Sequence, residues 1–198
     1  MISISRVYGE IPAGYRVLAD RLWPRGVKKE NIDYWAKEIA PSNELRKWYG
    51  HIPERYEEFK EKYWAELDGN PETETLTAMC RGQDVVLLYA AKDEERNNAA
   101  VLKEWLESRP DIRIVRISEM ENRLNRVRDW LNTGKGNVGD DICILEEYYH
   151  SSLWRLDFEA DERGEIPSHA LRGVLSEDAI YNLLETIKEI KSDVGEML

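Results

Sequence analysis

The chain has 198 residues, of which 42% are hydrophobic and 34% charged, and a formal net charge of −11. That length allows one good-sized domain or two small ones, and the mixture is that of a globular protein in water. The charge is uneven: residues 1–110 carry 17 Lys and Arg against 20 Asp and Glu, and residues 111–198 carry 11 against 19. A broad nucleic-acid footprint, which needs phosphate-neutralising cations, is therefore not expected, whereas a local basic pocket in the more balanced N-terminal half fits the distribution.

No apolar run approaches the roughly 20 residues that span a bilayer, and the opening Met1-Ile2-Ser3-Ile4-Ser5-Arg6 fits neither a signal nor a transit peptide. A cytoplasmic protein with no membrane association is the expectation. Cys80 and Cys143 are far apart and belong to no CxxC or Cys/His cluster, so neither a disulfide framework nor a zinc site is predicted. Both read as buried small hydrophobes without an activating base. No cofactor and no metal are implied.

Residues 2–8 alternate apolar and polar side chains and predict an edge strand, followed by a turn over 9–14 and a second strand over 15–20. Pro24 and Gly26 break regular structure after it. Ile32, Trp35 and Ile39 have helical spacing over 31–39. Ser42 caps a helix over 43–49, and Pro53 opens one whose apolar stripe is Tyr56, Phe59, Tyr63 and Leu67. A short helix follows Asn70-Pro71 as far as Met79. Residues 85–91 are apolar on both faces, the pattern of a central parallel strand. Asp93 is expected to cap a helix over 94–107, with Pro110 closing it and a strand over 112–117 completing a βαβ unit.

Ser118 to Glu121 has the spacing of a capping box ahead of a stripe formed by Met120, Leu124, Val127 and Leu131. Residues 142–160 alternate in the β manner, with Trp154, Leu156 and Phe158 on one face. Residues 161–164 read as a turn. Ser176 caps a last helix carrying Ile180, Leu183, Leu184, Ile187 and Val194. The predicted organisation is an α/β, three-layer Rossmann-like domain with a mainly parallel sheet over 1–133, and a smaller α+β segment, a β-hairpin plus helix, over 134–198.

Two constellations stand at predicted strand ends, where open α/β sheets place their ligands. The first is Asp20-Arg21-Leu22-Trp23-Pro24-Arg25-Gly26. Arg21 and Arg25 offer forked donors for carboxylate or phosphate, and Trp23 a wall. The structural alternative pairs both arginines with Asp20 or helix C-termini and packs Trp23 on Pro24. The second is Ala90-Ala91-Lys92-Asp93-Glu94-Glu95, in which Lys92 neutralises an anion, Tyr89 lines the pocket, and Asp93 is either a proton carrier or, more commonly for such a residue, a cap. Asp20 and Asp93 are the candidate catalytic groups. Residues 134–139 match GxGxxG literally but lack the strand before and helix after that a dinucleotide loop needs, so they read as a helix C-cap and loop. His51 reads as a helix-start residue and, second, as a pocket border. His150 and His169 have no partner at ligand spacing. Asp140-Asp141 and Glu146-Glu147 read as solvated, and Ser42 lacks an activating base.

These same residues carry a resemblance. Tyr15-Arg16-Val17-Leu18, the run from Asp20 to Gly26, Trp35, Ala40-Pro41-Ser42, Glu44-Leu45-Arg46-Lys47-Trp48 and the run from Leu87 to Glu95 are similar to the YeaO-like family, a domain of unknown function, over residues 1 to about 108. The resemblance implies a small Rossmann-like α/β domain and brings no assigned reaction. The family commonly shows His where this chain has Arg96, so an acid/base at that position would be missing here. The functional expectation is binding, with or without turnover, of a small anionic ligand such as a nucleotide or phosphorylated metabolite. The alternatives are a regulatory module that docks a protein partner through the acidic C-terminal segment and, more weakly, single-stranded nucleic-acid binding.

Overall fold

The computed structural model describes residues 1–195, with side chains up to residue 190. The chain forms two compact units, Met1–Ile112 and Arg113–Leu198. The first is an α/β unit built on four parallel strands: β1 (Ile2–Arg6), β2 (Tyr15–Leu18), β3 (Tyr34–Trp35) and β4 (Val85–Tyr89), in the order β1-β4-β2-β3. Every residue of β4 is buried, as its unbroken Val-Val-Leu-Leu-Tyr run predicts for a strand covered on both faces.

Val85, Leu87 and Tyr89 face the main core with Val17, Phe59, Tyr63, Leu67, Leu76, Leu102 and Leu106. The helices that supply this core are α1 (Asn43–Tyr49), α2 (Tyr56–Asp68), α3 (Thr73–Gly82) and α4 (Asn98–Ser108). Val86 and Leu88 face the other way, under Val7, Ile11, Trp23, Val27 and Ile32, so irregular chain from the segments that follow β1 and β2 covers that side. Phe59, Tyr63 and Leu67 are buried along one stripe of α2, four residues apart, as read from the sequence.

Three expectations in this unit change. No helix forms over 31–39; 3-10 turns at Lys29–Asn31 and Lys37–Ile39 flank β3 instead. Pairing with β2 outcompetes helix there. Asp33 N donates to Arg16 O, Ala36 N donates to Leu18 O, and the Asp33 carboxylate accepts from both the backbone and the guanidinium of Arg16. That guanidinium holds the Asp33 carboxyl down at about 2. Second, Asp93 caps no α-helix: it accepts from Glu95 N and Arg96 N in a loop, and α4 starts four residues later, capped by Asn97, whose side chain accepts from Ala100 N. The Asn97 amide also donates to Asp93 O and Glu94 O, which fixes the loop. Third, residues 112–117 are not a strand but part of α5 (Pro110–Thr133), so the βαβ unit ends at α4. Pro110 opens that helix, the one position where a missing N–H costs nothing.

The regular elements of the second unit, among its described residues, are all helical: α5, α6 (Gly139–Tyr149), α7 (Ser152–Glu162) and α8 (Glu177–Gly195), with a 3-10 turn at Gly173–Leu175. The α+β reading of 134–198 is thus overturned. Burial of Ile142, Leu145 and Tyr148 follows helical spacing. In α7 the alternation of 154–159 is incidental. The residue facing the core is Asp157, while Trp154 and Phe158, one turn apart, stack at 5.1 Å and Leu156 stands exposed elsewhere on the helix. The apolar docking face expected from Trp154, Leu156 and Phe158 therefore does not form. Ser118 to Glu121 lies inside α5 rather than at its start, and Glu121 is buried and accepts from Val174 N. Ile117, Met120, Leu124 and Val127 pack with Ile142, Leu145, Ile180, Leu184 and Ile187, so residues 113–133, expected with the first domain, contribute to the second. Ser176 caps α8 by accepting from Ala179 N. The place of Val194 on the α8 stripe lies outside the described residues.

Gly134, at φ 66°, ends α5 by donating from its N–H to Trp130 O, and a helix rather than a strand follows the glycine-rich loop. The turn near 161–164 is confined to the residues after α7, with Gly164 at φ 71°. Cys80 is buried, and burial pushes its thiol up to about 12; Cys143 is exposed, contrary to expectation. Among the described residues no helix is long and apolar enough to cross a membrane, and no group of His, Cys, Asp or Glu could hold a metal ion.

Candidate functional site

β2 and β4 are neighbours, so their carboxyl ends deliver Asp20 and Ala90 side by side. The chain after β2 cannot remain a strand past Pro24, and it turns out over the sheet end. A cleft of about 700 Å³ opens there, within the usual range for small-molecule sites. Asp20, Arg21, Leu22, Trp23 and Pro24 line it from β2, Ala90 and Ala91 from β4, and Asn98 from the first turn of α4. The remaining wall is Pro41 and α1, with Asn43, Arg46, Lys47 and Tyr49, then His51 and the edge of Phe59.

Asp20 is the best-anchored group of the cleft. Its Oδ2 accepts from Ala90 N at 2.8 Å and its Oδ1 from Asn98 Nδ2 at 3.2 Å, while its carbonyl accepts from Trp35 Nε1 at 2.7 Å. Asn98 also donates to Ala19 O, so one amide links the end of β2 to the start of α4. Burial raises the Asp20 carboxyl above the ordinary carboxylate value. The donated hydrogen bonds and the positive charges of Arg46 and His51 oppose that rise.

The cations come mainly from α1. Ser42 caps it by accepting from Leu45 N, and Gly50, in the left-handed region at φ 53°, ends it. Asn43, Arg46 and Lys47 stand at i, i+3 and i+4 and so share the helix face that lines the cleft. Arg21, Arg46 and Lys47 make no salt bridge and no side-chain hydrogen bond among the described residues. His51 follows Gly50 at φ 56°, the one non-glycine residue with positive φ among the described residues. Such a backbone costs about 1 kcal/mol or more and persists only where the surroundings hold it. Here the ring lies 5.3 Å from Tyr49, itself stacked on Phe59 at 4.3 Å and donating from its hydroxyl to Arg96 O.

Of the residues singled out from sequence, Asp20, Arg21 and Trp23 meet in this cleft. Trp23 is held by donating to Val27 O and by an edge contact with Trp35 at 5.4 Å. Arg25 and Lys92 are exposed and outside the lining, so of the predicted cation trio Arg21, Arg25 and Lys92 this cleft takes only Arg21. The Arg25 carbonyl accepts from Tyr8 OH. Tyr89 is 3% exposed and belongs to the core. Asp93 also lies outside the lining. Its carboxylate is held below the usual range by the amides of Arg96 and Glu95 and by the Arg96 guanidinium. Arg46, Lys47, Asn43 and Asn98 were not singled out. The available signal for Arg46 and Lys47 was their i+3 and i+4 spacing from Asn43 on a capped helix.

Residues 1–116 match the family described as the inactive DUF488-N3 subclade, and residues 117–197 match DUF4298, a domain of unknown function. The uncharacterized protein YeaO of Escherichia coli (strain K12) is 46% identical over 113 residues, which cover 54% of this chain and 97% of that protein. Uncharacterized proteins of Mycobacterium tuberculosis (strain H37Rv) and Mycobacterium bovis are each 38% identical over 112 residues, covering 54% of this chain and 95% of theirs. No solved structure matches. With residues 1–116, more than half its length, matched by the family model, the chain belongs to the DUF488-N3 inactive subclade, of unknown function.

Proposed function

We propose that the strand-end cleft binds a small anionic ligand, a nucleotide or phosphorylated metabolite, without transforming it. The observation that carries this reading is the grouping of Arg21, Arg46 and Lys47, none of them paired, around one concave site of small-molecule size. Unpaired cations converging on a cleft raise the local concentration of anions and supply charge-assisted hydrogen bonds once one is bound. Trp23 and Tyr49 give the site apolar walls.

Binding without turnover is supported by the state of one candidate carboxylate. Asp93 is held ionised by three donors and lies outside the cleft lining, a poor condition for carrying a proton. Where the YeaO-like family commonly shows His, Arg96 pairs with Asp93 at 3.1 Å. The description of the matching subclade as inactive points the same way.

A thermal-shift screen of phosphate, sugar phosphates and nucleotides on the full chain tests the reading. A ligand at 100 times its dissociation constant stabilises the native state by about 2.7 kcal/mol, a readily measured shift. That shift is expected to vanish in the Arg46→Ala/Lys47→Ala double variant and to survive in Arg25→Ala and Lys92→Ala. A folded protein that responds to no anion sinks the proposal, as does a shift that depends on Arg25 or Lys92 instead.

A further inference from the structure

The cleft is not uniformly basic. Its cations stand on α1 and the loop after β2, while Asp20 presents a carboxylate where the ends of β2 and β4 meet. A bare anion that reached that end of the cleft would meet like charge, and Asp20 would repel it. An ionised carboxylate offers about four acceptor positions. Two are taken here, by Ala90 N at 2.8 Å and Asn98 Nδ2 at 3.2 Å. The remaining capacity, on a group that lines the cleft, suits a donor brought by the ligand.

We infer that the ligand is a polyhydroxylated phosphate monoester, of the sugar-phosphate class, whose phosphate meets Arg21, Arg46 and Lys47 while a hydroxyl donates to Asp20. This rests on the anion-binding reading above and adds a specificity-determining residue to it. A neutral hydroxyl fits better than an amine as the donor, because three cations and His51 line the same cleft against one carboxylate. A cleft of about 700 Å³ has room for a ligand well beyond inorganic phosphate. The carboxylate is also pre-organised: the backbone of β4 and the side chain of Asn98 fix it before any ligand arrives, so little side-chain entropy is lost when a hydroxyl binds.

Titration calorimetry of the full chain with ribose 5-phosphate, n-butyl phosphate and inorganic phosphate reads the inference directly. A hydrogen bond to a charged group is worth about tenfold or more in affinity. Ribose 5-phosphate is therefore expected to bind the wild type at least about tenfold more tightly than n-butyl phosphate, which has the phosphate and the bulk but no hydroxyl. In Asp20→Asn that preference is expected to collapse, while inorganic phosphate binds more tightly because the like charge is gone. The wild-type comparison decides the matter even where Asp20→Asn fails to fold. Equal binding of the two esters by wild type, or a preference that survives in Asp20→Asn, overturns this inference and leaves anion binding standing. Absence of binding by all three phosphates overturns this inference, and absence of any response to the nucleotides of the thermal-shift screen as well overturns the anion-binding reading with it.

Discussion

Asp157→Ala is expected to destabilise the C-terminal unit by about 3–5 kcal/mol, because it removes a fully buried carboxylate on which an arginine fork and a tyrosine hydroxyl converge. Asp157 has no solvent exposure. It accepts from Arg116 Nε at 2.8 Å and Nη2 at 2.5 Å in a forked pair and from Tyr148 OH at 2.8 Å, and Arg113 Nε lies 3.5 Å away. Arg113 keeps Glu165 in the variant, but the Arg116 fork and the Tyr148 hydroxyl lose this acceptor in a place where water is excluded. Burial, with the neighbouring charge and hydrogen bond of Asp157, already holds the Tyr148 hydroxyl firmly protonated, as a donor to that carboxylate requires. Urea denaturation with hydrogen exchange read in α7 measures the loss. A cost below about 1 kcal/mol would mean that the cluster is solvated and carries little.

In the α/β unit the matching result is a loss of about 3–5 kcal/mol for Phe59→Ala. Phe59 is 2% exposed and sits in a run of rings, 4.3 Å from Tyr49 and 5.8 Å from Tyr63. Removing it deletes the transfer free energy of the ring and leaves a cavity that the polar anchoring of its neighbours prevents from collapsing. Tyr63 OH donates to Ile39 O and Tyr49 OH to Arg96 O, so neither ring is free to move in. Because Phe59 also borders the cleft, the variant is expected to weaken anion binding through a displaced Tyr49 and His51. Equilibrium unfolding at an unchanged slope against urea reports the first effect, and the same anion titration reports the second.

The elements that were legible in the sequence are those in which local pattern and tertiary demand agree. β4 reads as a central parallel strand because five successive apolar residues have no other comfortable place, and α2 reads correctly because Phe59, Tyr63 and Leu67 recur every four residues. β3 was not legible, since its two residues are set by a ladder to Val17 and Leu18 that lies outside any local window. The isoleucines of 112–117 mimic a strand, yet in α5 the buried positions are Ile112 and Ile117, with Arg113 buried beside them by ion pairing with Asp157 and Glu165. In α7 the misleading signal was again a buried charge: an alternation rule treats Asp157 as solvent-facing, and only its partners on α5 and α6 explain why it points inward.

The site divides along the same line. The strand-end placement of Asp20, Arg21 and Trp23 follows from the break that Pro24 imposes after β2. The contribution of Arg46, Lys47 and His51 depends on where α1 is set down and on a left-handed turn at Gly50 and His51, which are tertiary facts. Lys92 drops out because Asp93, Arg96 and Asn97 organise the chain after β4 as a loop instead of a helix start.

The most direct measurement is a map of amide and side-chain chemical shifts in the full chain during titration with ribose 5-phosphate. The perturbed signals are expected to cluster at Arg21, Arg46, Lys47, His51 and the Ala90 amide that holds Asp20, with Arg25 and Lys92 unmoved. Perturbation centred on Arg25 and Lys92, or on the helical C-terminal unit, would contradict binding in the cleft.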